Sequence, residues 1–352
     1  MRAAAGTLAL ALATFTLSAG TAFAQSGAEL VPKADLQLLS EAVSLIKRNF
    51  ARATDDKVLA SGCAESLFAA TGGGERAART LEALPPLLLR ARAVPGNRHE
   101  YRRLAQFCIE GMVAMLDTHS QYLDEAALRR FYAQPAETPP PQTANVAWGP
   151  DGLLEIRLTR FTEQTRIELQ RDLVRLAAGR VPLGIVIDLR DNTGGLLYAA
   201  IEVAGLYLDA GKPVGSTQGR AGRILQTYQA GDPGMRGFGV APLPESLAAA
   251  LRRAPLAVVV NGRTASGAEI LAAAMQANAR GILAGGATKG MGSIQTVYTL
   301  GGTSALKLTT SFWLGPKDAE LDGKPLEPDL PAGDAGALPA ARRWVVEERT
   351  AK

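Results

Sequence analysis

Histidine and aromatic residues are scarce in this 352-residue chain, and charge of one sign does not accumulate along it. The two histidines, His99 and His119, are far apart, so neither a histidine-based catalytic triad nor a metal site is expected, and no cofactor is implied. Aromatic residues make up 5% of the chain, and its net charge of +4 is spread over lysines and arginines mixed with acids. We therefore expect no nucleic-acid partner.

Long hydrophobic runs are also missing, apart from a short one close to the first residue. Arg2 precedes an apolar run at residues 8–15, and small residues then lead to Ala22-Phe23-Ala24. The run is too short to cross a bilayer, and the whole pattern is typical of a cleaved secretory signal over residues 1–24. We expect an exported protein with no membrane span after cleavage, periplasmic in a Gram-negative host.

Only two cysteines occur, Cys63 and Cys108, and each lies in a stretch with the pattern of an amphipathic helix. An exported protein permits a disulfide between them. The alternative is two buried free thiols, because unpaired cysteine packs like a small apolar residue. Of the two we favour the disulfide, which would be structural and not catalytic.

The hydrophobic pattern divides the chain into four parts after the signal. Residues 25–134 are predicted to be helical, since Leu36, Leu39, Val43 and Ile46 recur at helical spacing. Residues 135–147, rich in proline and threonine, are predicted to be a linker. Residues 148–335 alternate strands with helices and predict an α/β core with partly parallel strands, followed by a tail at 336–352. The predicted core elements are strands at 154–158, 184–187 and 256–260, helices at 167–176, 196–208 and 266–279, and a hairpin at 294–300 and 305–314.

Five motifs follow one another along the chain. They are LDTHSQYL at 116–123, DLRDNTGG at 188–195, NGRTASGAEI at 261–270, GGATKGMGSIQ at 285–295 and GKPLEPD at 323–329. In this order they resemble the C-terminal processing (tail-specific) serine peptidase family, from about residue 34 to 330, with Thr193 where that family usually has proline. The resemblance implies a mixed α/β fold with a ClpP/crotonase-like peptidase core, and an unfolded or extended polypeptide as substrate.

The resemblance assigns the nucleophile to Ser266, at the start of a predicted helix. Backbone N–H groups at a helix N-terminus are free to stabilise an oxyanion, so Gly267 is one candidate donor and Gly194 or Gly195 the other. A serine before an apolar run is by itself more often a helix cap. The family context favours the nucleophile, and the same context makes the motif around His119 structural.

The general base departs from the family. Where the family carries lysine, this chain has Met291, whose thioether cannot take a proton from a hydroxyl at neutral pH. Gln295, which orients the lysine in the family, and Glu269 are both retained. Lys289 is a candidate substitute if the local chain is extended, because residues two apart then point to the same side, about 6.6 Å apart. The alternative is that Lys289 is an exposed loop residue.

A second departure concerns substrate capture. Many members of the family carry a PDZ domain, but only about 25 residues separate Leu123 from Trp148, and a domain needs about 50 or more. Two hypotheses remain open, a serine endopeptidase without a PDZ domain that acts on exported proteins, and an inactive pseudopeptidase that binds polypeptides or acts as an adaptor. A weaker third is acyl transfer or another hydrolysis in a related fold. By resemblance, the N-terminal helices could also mediate a homodimer.

Overall fold

The computed structural model describes residues 30–133, 142–178, 180–232 and 242–351. The predicted secretory signal and most of the predicted linker lie outside these ranges. The first described range begins with four helices, each with one apolar face turned inward: α1 (Lys33–Asn49), α2 (Asp56–Thr71), α3 (Leu84–Arg92) and α4 (Tyr101–Ala114). Their buried faces form a separate hydrophobic core. We call these four helices and their core the helical unit.

Helices α2 and α4 pack against each other at unusually short range. A Cβ atom added to Gly62 would lie 2.4 Å from the carbonyl oxygen of Gly111, so only glycine lets the two backbones approach this closely. Beside this contact the structure joins Cys63 and Cys108 in a disulfide, with both residues fully buried. The disulfide therefore lies in the core of the helical unit.

The remaining elements follow in chain order. They are β1 (Gln121–Leu123), α5 (Glu125–Tyr132), β2 (Ala144–Trp148), β3 (Leu153–Leu158), α6 (Thr165–Leu176), β4 (Gly184–Asp188), α7 (Leu197–Ala204), β5 (Pro213–Gln218), β6 (Ile224–Gln229), α8 (Glu245–Arg253), β7 (Leu256–Val260), α9 (Gly267–Ala277), β8 (Ile282–Gly285), β9 (Ser293–Leu300), β10 (Ser304–Gly315), β11 (Ala319–Glu320), β12 (Leu330–Pro331) and α10 (Asp334–Thr350). One sheet has the strand order β12-β8-β7-β4-β3-β2, parallel except for β2. The other has the order β1-β10-β5-β6, with β9 and β11 also paired to β10. The predicted α/β core with partly parallel strands is confirmed.

The parallel sheet is covered on both faces, as its apolar strands require. Ile185 and Ile187 of β4 face the cluster that contains α6, α7 and α9, whereas Val186 between them faces α10. The buried strand β7 divides its side chains in the same way. This sandwich places the C-terminal ends of β4 and β7 side by side.

The helical unit is attached to the core through β10. Leu306 and Leu308 of that strand belong to the hydrophobic core of the helical unit. The N–H of Ala51 donates to the carbonyl oxygen of Thr309, and the N–H of Thr309 donates to Oγ of Ser120 at 3.1 Å. The junction is therefore a packed and hydrogen-bonded surface.

Three sequence boundaries need correction. The predicted tail at 336–352 largely forms α10, because Ala337, Ala341 and Val345 recur every four residues and bury one face against the sheet. The last residues of the predicted linker, 144–147, lie in β2 and pair with β3. The helix expected at 196–208 ends at Ala204. Of the helices in the described ranges, none combines the length and hydrophobicity needed to cross a bilayer.

Candidate active site

Ser266 occupies a strained turn between β7 and α9. Its φ of 53° and ψ of −119° lie in a region that residues with a Cβ rarely adopt, at a cost of about 1–3 kcal/mol. The backbone on both sides of the turn is held, since the N–H of Ala265 donates to the carbonyl of Asn192 and the N–H of Ser266 donates to Oε2 of Glu269. Such strain persists only where the surroundings fix the conformation, and it is common at functional sites.

Glu269 is the residue that fixes this turn. Its carboxylate is completely buried. Oε2 accepts the N–H of Ser266 at 2.9 Å and that of Met291 at 2.8 Å. Oε1 accepts the hydroxyl of Thr288 and the N–H of Gly290, both at 2.6 Å. A buried carboxylate needs such donors, so Glu269 is a positioning residue that joins α9 to residues 288–291.

The turn after β4 approaches Ser266 from the other side. Asp188 bonds to Arg190 and to Arg157, both at 2.7 Å. Burial alone would raise the pKa of Asp188, but the bonds to Arg190 and the charge of Arg157 lower it below its ordinary value. Asn192 is fully buried, and its side chain donates to the carbonyl of Leu158. These contacts hold the glycine pair that follows.

The two glycines of this turn have different tasks. The N–H of Gly194 donates to Oδ1 of Asn192 at 2.9 Å, so it is not free to bind an oxyanion. A Cβ on Gly194 would lie 2.7 Å from Cβ of Ser266, so glycine here permits close approach. Within the described residues, the N–H groups of Gly195 and Gly267 have no acceptor, and the Gly195 nitrogen lies 3.5 Å from the place of a Cβ on Gly267. Gly195, and not Gly194, is therefore the candidate second donor.

A cavity of about 390 Å³ opens beside Ser266. Gly195, Gly267, Met291 and Gln295 contribute to its wall, and the remaining lining residues are Leu196, Leu197, Tyr198, Ile270, Gly292, Ser293, Ile294, Trp313 and Leu321. None of the described residues that line it is a lysine, an arginine, a histidine or an acid, and the phenol of Tyr198 is exposed. The cavity wall therefore supplies no amine, imidazole or carboxylate beside Ser266.

The side chains of Lys289 and Met291 lie in different environments. Met291 is partly buried and lines the cavity, whereas the side chain of Lys289 is exposed and is not part of the lining. The reason is Gly290, whose φ of 75° breaks the extended chain that would have put both side chains on one side. Gln295 does line the cavity, and its Nε2 donates to Oγ of Ser293 at 3.0 Å.

The two histidines lie away from this cavity. The N–H groups of His119 and Ser120 donate to Oδ1 of Asp117. Burial alone would raise the pKa of Asp117, but the hydrogen bonds from Thr309, Ser120 and His119 lower it. The ring of His99 packs edge-on against Phe107 in the helical unit. The described residues contain no group of three or more histidine, cysteine or acidic side chains that could hold a metal ion.

Sequence reasoning missed several residues that shape the site. Asn192 and Thr288 position its turns, and Ile270 and Trp313 line its cavity. Asn192 and Thr288 lie inside the recognised motifs, so their polar character was a usable signal. Trp313 had no such signal in the sequence, because its place in the cavity wall depends on how β10 pairs with its neighbouring strands.

Comparison with known proteins identifies relatives of the core. The model for peptidase family S41 matches residues 152–332. The chain is 38% identical over 182 residues to carboxyl-terminal-processing peptidase 1 of Arabidopsis thaliana chloroplasts, which covers 51% of this chain and 34% of that protein. It is 34% identical over 179 residues to the carboxy-terminal-processing protease of Bartonella bacilliformis, covering 50% and 37%. The matched stretch thus spans only about a third of these relatives.

Solved structures show the same fold over most of the chain. The photosystem II D1 C-terminal processing protease has a TM-score of 0.58 at 20% identity, covering 86% of this chain and 94% of that one. A lipoprotein from Streptococcus agalactiae has a TM-score of 0.57 at 15% identity, covering 91% and 99%. At these identities the similarity establishes the fold alone.

Proposed function

This chain belongs to peptidase family S41, and from that premise we propose that it is a serine-peptidase-type protein that binds extended polypeptides at Ser266 and cleaves them at most very slowly. The observation that carries the proposal is the cavity wall, where Met291 stands at the family's lysine position and no other lining residue can act as a base at neutral pH. The polypeptide as ligand follows from the family. The slow cleavage follows from Met291, which stands where the family has its lysine.

The parts needed to hold a peptide carbonyl are present. In the described part of the chain, the N–H groups of Gly195 and Gly267 beside Ser266 have no acceptor, as required of donors to a carbonyl oxygen that gains negative charge. Since they are backbone groups in a fixed turn, they need no reorganisation when a peptide binds. This arrangement supports binding, and it lowers the barrier of any attack that does occur.

The missing step is proton removal. As Oγ of Ser266 bonds to the carbonyl carbon, its proton must leave for a base, and the same proton is later delivered to the departing amine. The sulfur of Met291 can do neither. In serine peptidases, loss of one member of the catalytic group lowers kcat by about 10⁴- to 10⁶-fold. Cleavage should therefore be slower than in a complete enzyme by a factor of this order.

A second candidate is an endopeptidase of ordinary activity with Lys289 as its base. The strained Ser266 and the free oxyanion donors favour it, because strain of this kind serves no evident purpose in a plain binding protein. It requires Lys289 to leave its exposed position and enter the cavity. The two candidate functions predict different results for one variant, Lys289→Ala.

We further propose that the protein acts outside the cytoplasm, because of the signal pattern at residues 1–24, and that it captures substrate without a PDZ domain. Between β1 and β2 the described residues contain only α5. The helical unit would stand as a separate domain before the core, and its homodimerisation stays a prediction.

The test uses an unstructured protein and the purified chain, with Ser266→Ala and Lys289→Ala as comparison variants. The proposal expects binding by all three, seen by fluorescence anisotropy, and no fragments above the Ser266→Ala background by mass spectrometry. Cleavage that both alanine changes abolish would establish the second candidate. Cleavage that survives Ser266→Ala would show that Ser266 is not the nucleophile.

A further inference from the structure

A second cavity, of about 450 Å³, lies next to the cavity at Ser266. Trp313 lines both, and Leu321 of the first is followed in sequence by Asp322 of the second. An extended chain advances about 3.3 Å per residue, so a peptide needs only a few residues to pass from one cavity to a neighbouring one. The shared Trp313 makes the two cavities neighbours, and the inference below takes it that one extended polypeptide can occupy both.

The second cavity lies at the junction between the helical unit and the core. Its lining includes residues 51–53, which follow α1, and residues 218–222, at the end of β5 and the start of the next turn. The N–H of Ala51 donates to the carbonyl of Thr309, which fixes residues 51–53 on the core. A ligand in this cavity would contact both parts of the protein.

The two cavities differ in charge. The lining of the first contains no lysine, arginine or carboxylate, whereas that of the second contains two arginines and two acids. Both acids already have cationic partners. Asp322 bonds to Arg52 at 3.1 Å, and Glu320 bonds to Lys324 at 2.7 Å. The second arginine is therefore a surplus cation.

That surplus cation is Arg220. Within the described residues it has no carboxylate partner, and its Nη1 donates to the carbonyl oxygen of Lys47 in the last turn of α1. Its backbone is held in a tight turn, in which Ala221 and Gly222 have φ of 56° and 76°. A guanidinium carries five N–H donors in a planar fork, so donors remain for a ligand. Arg220 is thus anchored at one edge and exposed at the other.

We infer that Arg220 binds a carboxylate of the polypeptide held at Ser266. The inference rests on the proposed function, because it needs a peptide in the first cavity. A planar guanidinium matches a carboxylate with two parallel hydrogen bonds. Both the terminal carboxylate of a chain and an aspartate or glutamate side chain present this chemistry.

The experiment measures binding of three short fluorescent peptides to the Ser266→Ala chain, in which cleavage cannot interfere. All three are built on one common sequence that has no acidic side chains of its own. The first ends in a free carboxylate, the second in an amide, and the third in an amide preceded by one added glutamate. We expect the first, the third or both to bind about tenfold more tightly than the second, as a charge-assisted pair requires.

Arg220→Gln should remove this preference, and Arg220→Lys should restore part of it. The matched control is Arg223→Gln, which removes an exposed arginine from the same loop that does not line the cavity and should keep the preference. A thermal melt of each variant shows whether losing the hydrogen bond from Arg220 to the carbonyl oxygen of Lys47 changes the stability of the fold. Equal binding of the three peptides, or a preference that survives Arg220→Gln, would overturn the inference while leaving the proposed function intact. No binding of any peptide would overturn both.

Discussion

Ser266 and Met291 donate their backbone N–H groups to the same oxygen of Glu269, at 2.9 and 2.8 Å. The proposed nucleophile and the position that carries lysine in the family are therefore held together by the main chain. The side chain at 291 takes no part in this link. In the proposed function, the cleft lacks a base beside Ser266 but keeps the main-chain framework that would position one.

The first prediction concerns that framework. Glu269→Gln replaces one accepting oxygen by an NH₂ group that must face two N–H or O–H donors in a fully buried place. We expect the free energy of unfolding to fall by about 2–4 kcal/mol, measured by denaturant titration. Glu65→Gln, on an exposed face of α2, should change it by less than about 0.5 kcal/mol. A change at position 269 as small as that at 65 would contradict the role of Glu269.

The second prediction concerns the disulfide of the helical unit. Cys63 and Cys108 are 45 residues apart in sequence, so breaking their bond should cost about 4 kcal/mol in the loop-entropy model. We expect a reductant to lower the melting temperature of the parent chain and to leave that of a Cys63→Ala/Cys108→Ala variant unchanged. Equal melting of the parent with and without reductant would contradict this.

The third prediction concerns pH. The folded-state pKa of Asp188 is below its ordinary value, so this residue contributes stability that is present above its unfolded pKa, about 3.9. That stability is lost as the pH falls through the folded pKa. Asp188→Asn should therefore lower the unfolding free energy at pH 7 and flatten its decline in acid. A steeper acid decline in Asp188→Asn would refute the assignment.

The fourth prediction separates two effects of replacing a glycine, backbone strain at a positive φ and collision of the new Cβ with neighbouring atoms. Gly195 and Gly302 both have positive φ, but a Cβ on Gly195 would lie 2.1 Å from the carbonyl oxygen of Phe161, whereas nothing lies within 4 Å of one on Gly302. Gly302→Ala should cost about 1 kcal/mol and keep peptide binding. Gly195→Ala should cost more and abolish binding, as measured by unfolding and by peptide anisotropy. Normal peptide binding by Gly195→Ala would remove Gly195 from the site.

Much of the core could be predicted because its signals are local. The apolar runs at β4 and β7 and the start of α9 directly after Ser266 follow from composition and periodicity within a few residues. The family resemblance then located the cleft. The helix α10 also had a local signal, the spacing of Ala337, Ala341 and Val345, which was missed because the segment lies beyond the last motif.

The details of the site could not be predicted, because they depend on single dihedral angles and long-range contacts. Whether Gly194 or Gly195 offers a free N–H is decided by Asn192, which takes the first. Whether Lys289 shares a side with Met291 is decided by the φ of Gly290. The place of Trp313 between two cavities depends on the register of β10 with β5.

The most direct test of the central claim is cleavage of an unstructured protein by the Met291→Lys variant beside the parent chain. The backbone at 291 is fixed by Glu269, so a lysine there starts from the family's position next to Ser266. We expect the parent to release no fragments above the Ser266→Ala background, and Met291→Lys to gain cleavage that a further Ser266→Ala change removes. A parent that cleaves as fast as Met291→Lys would contradict the account.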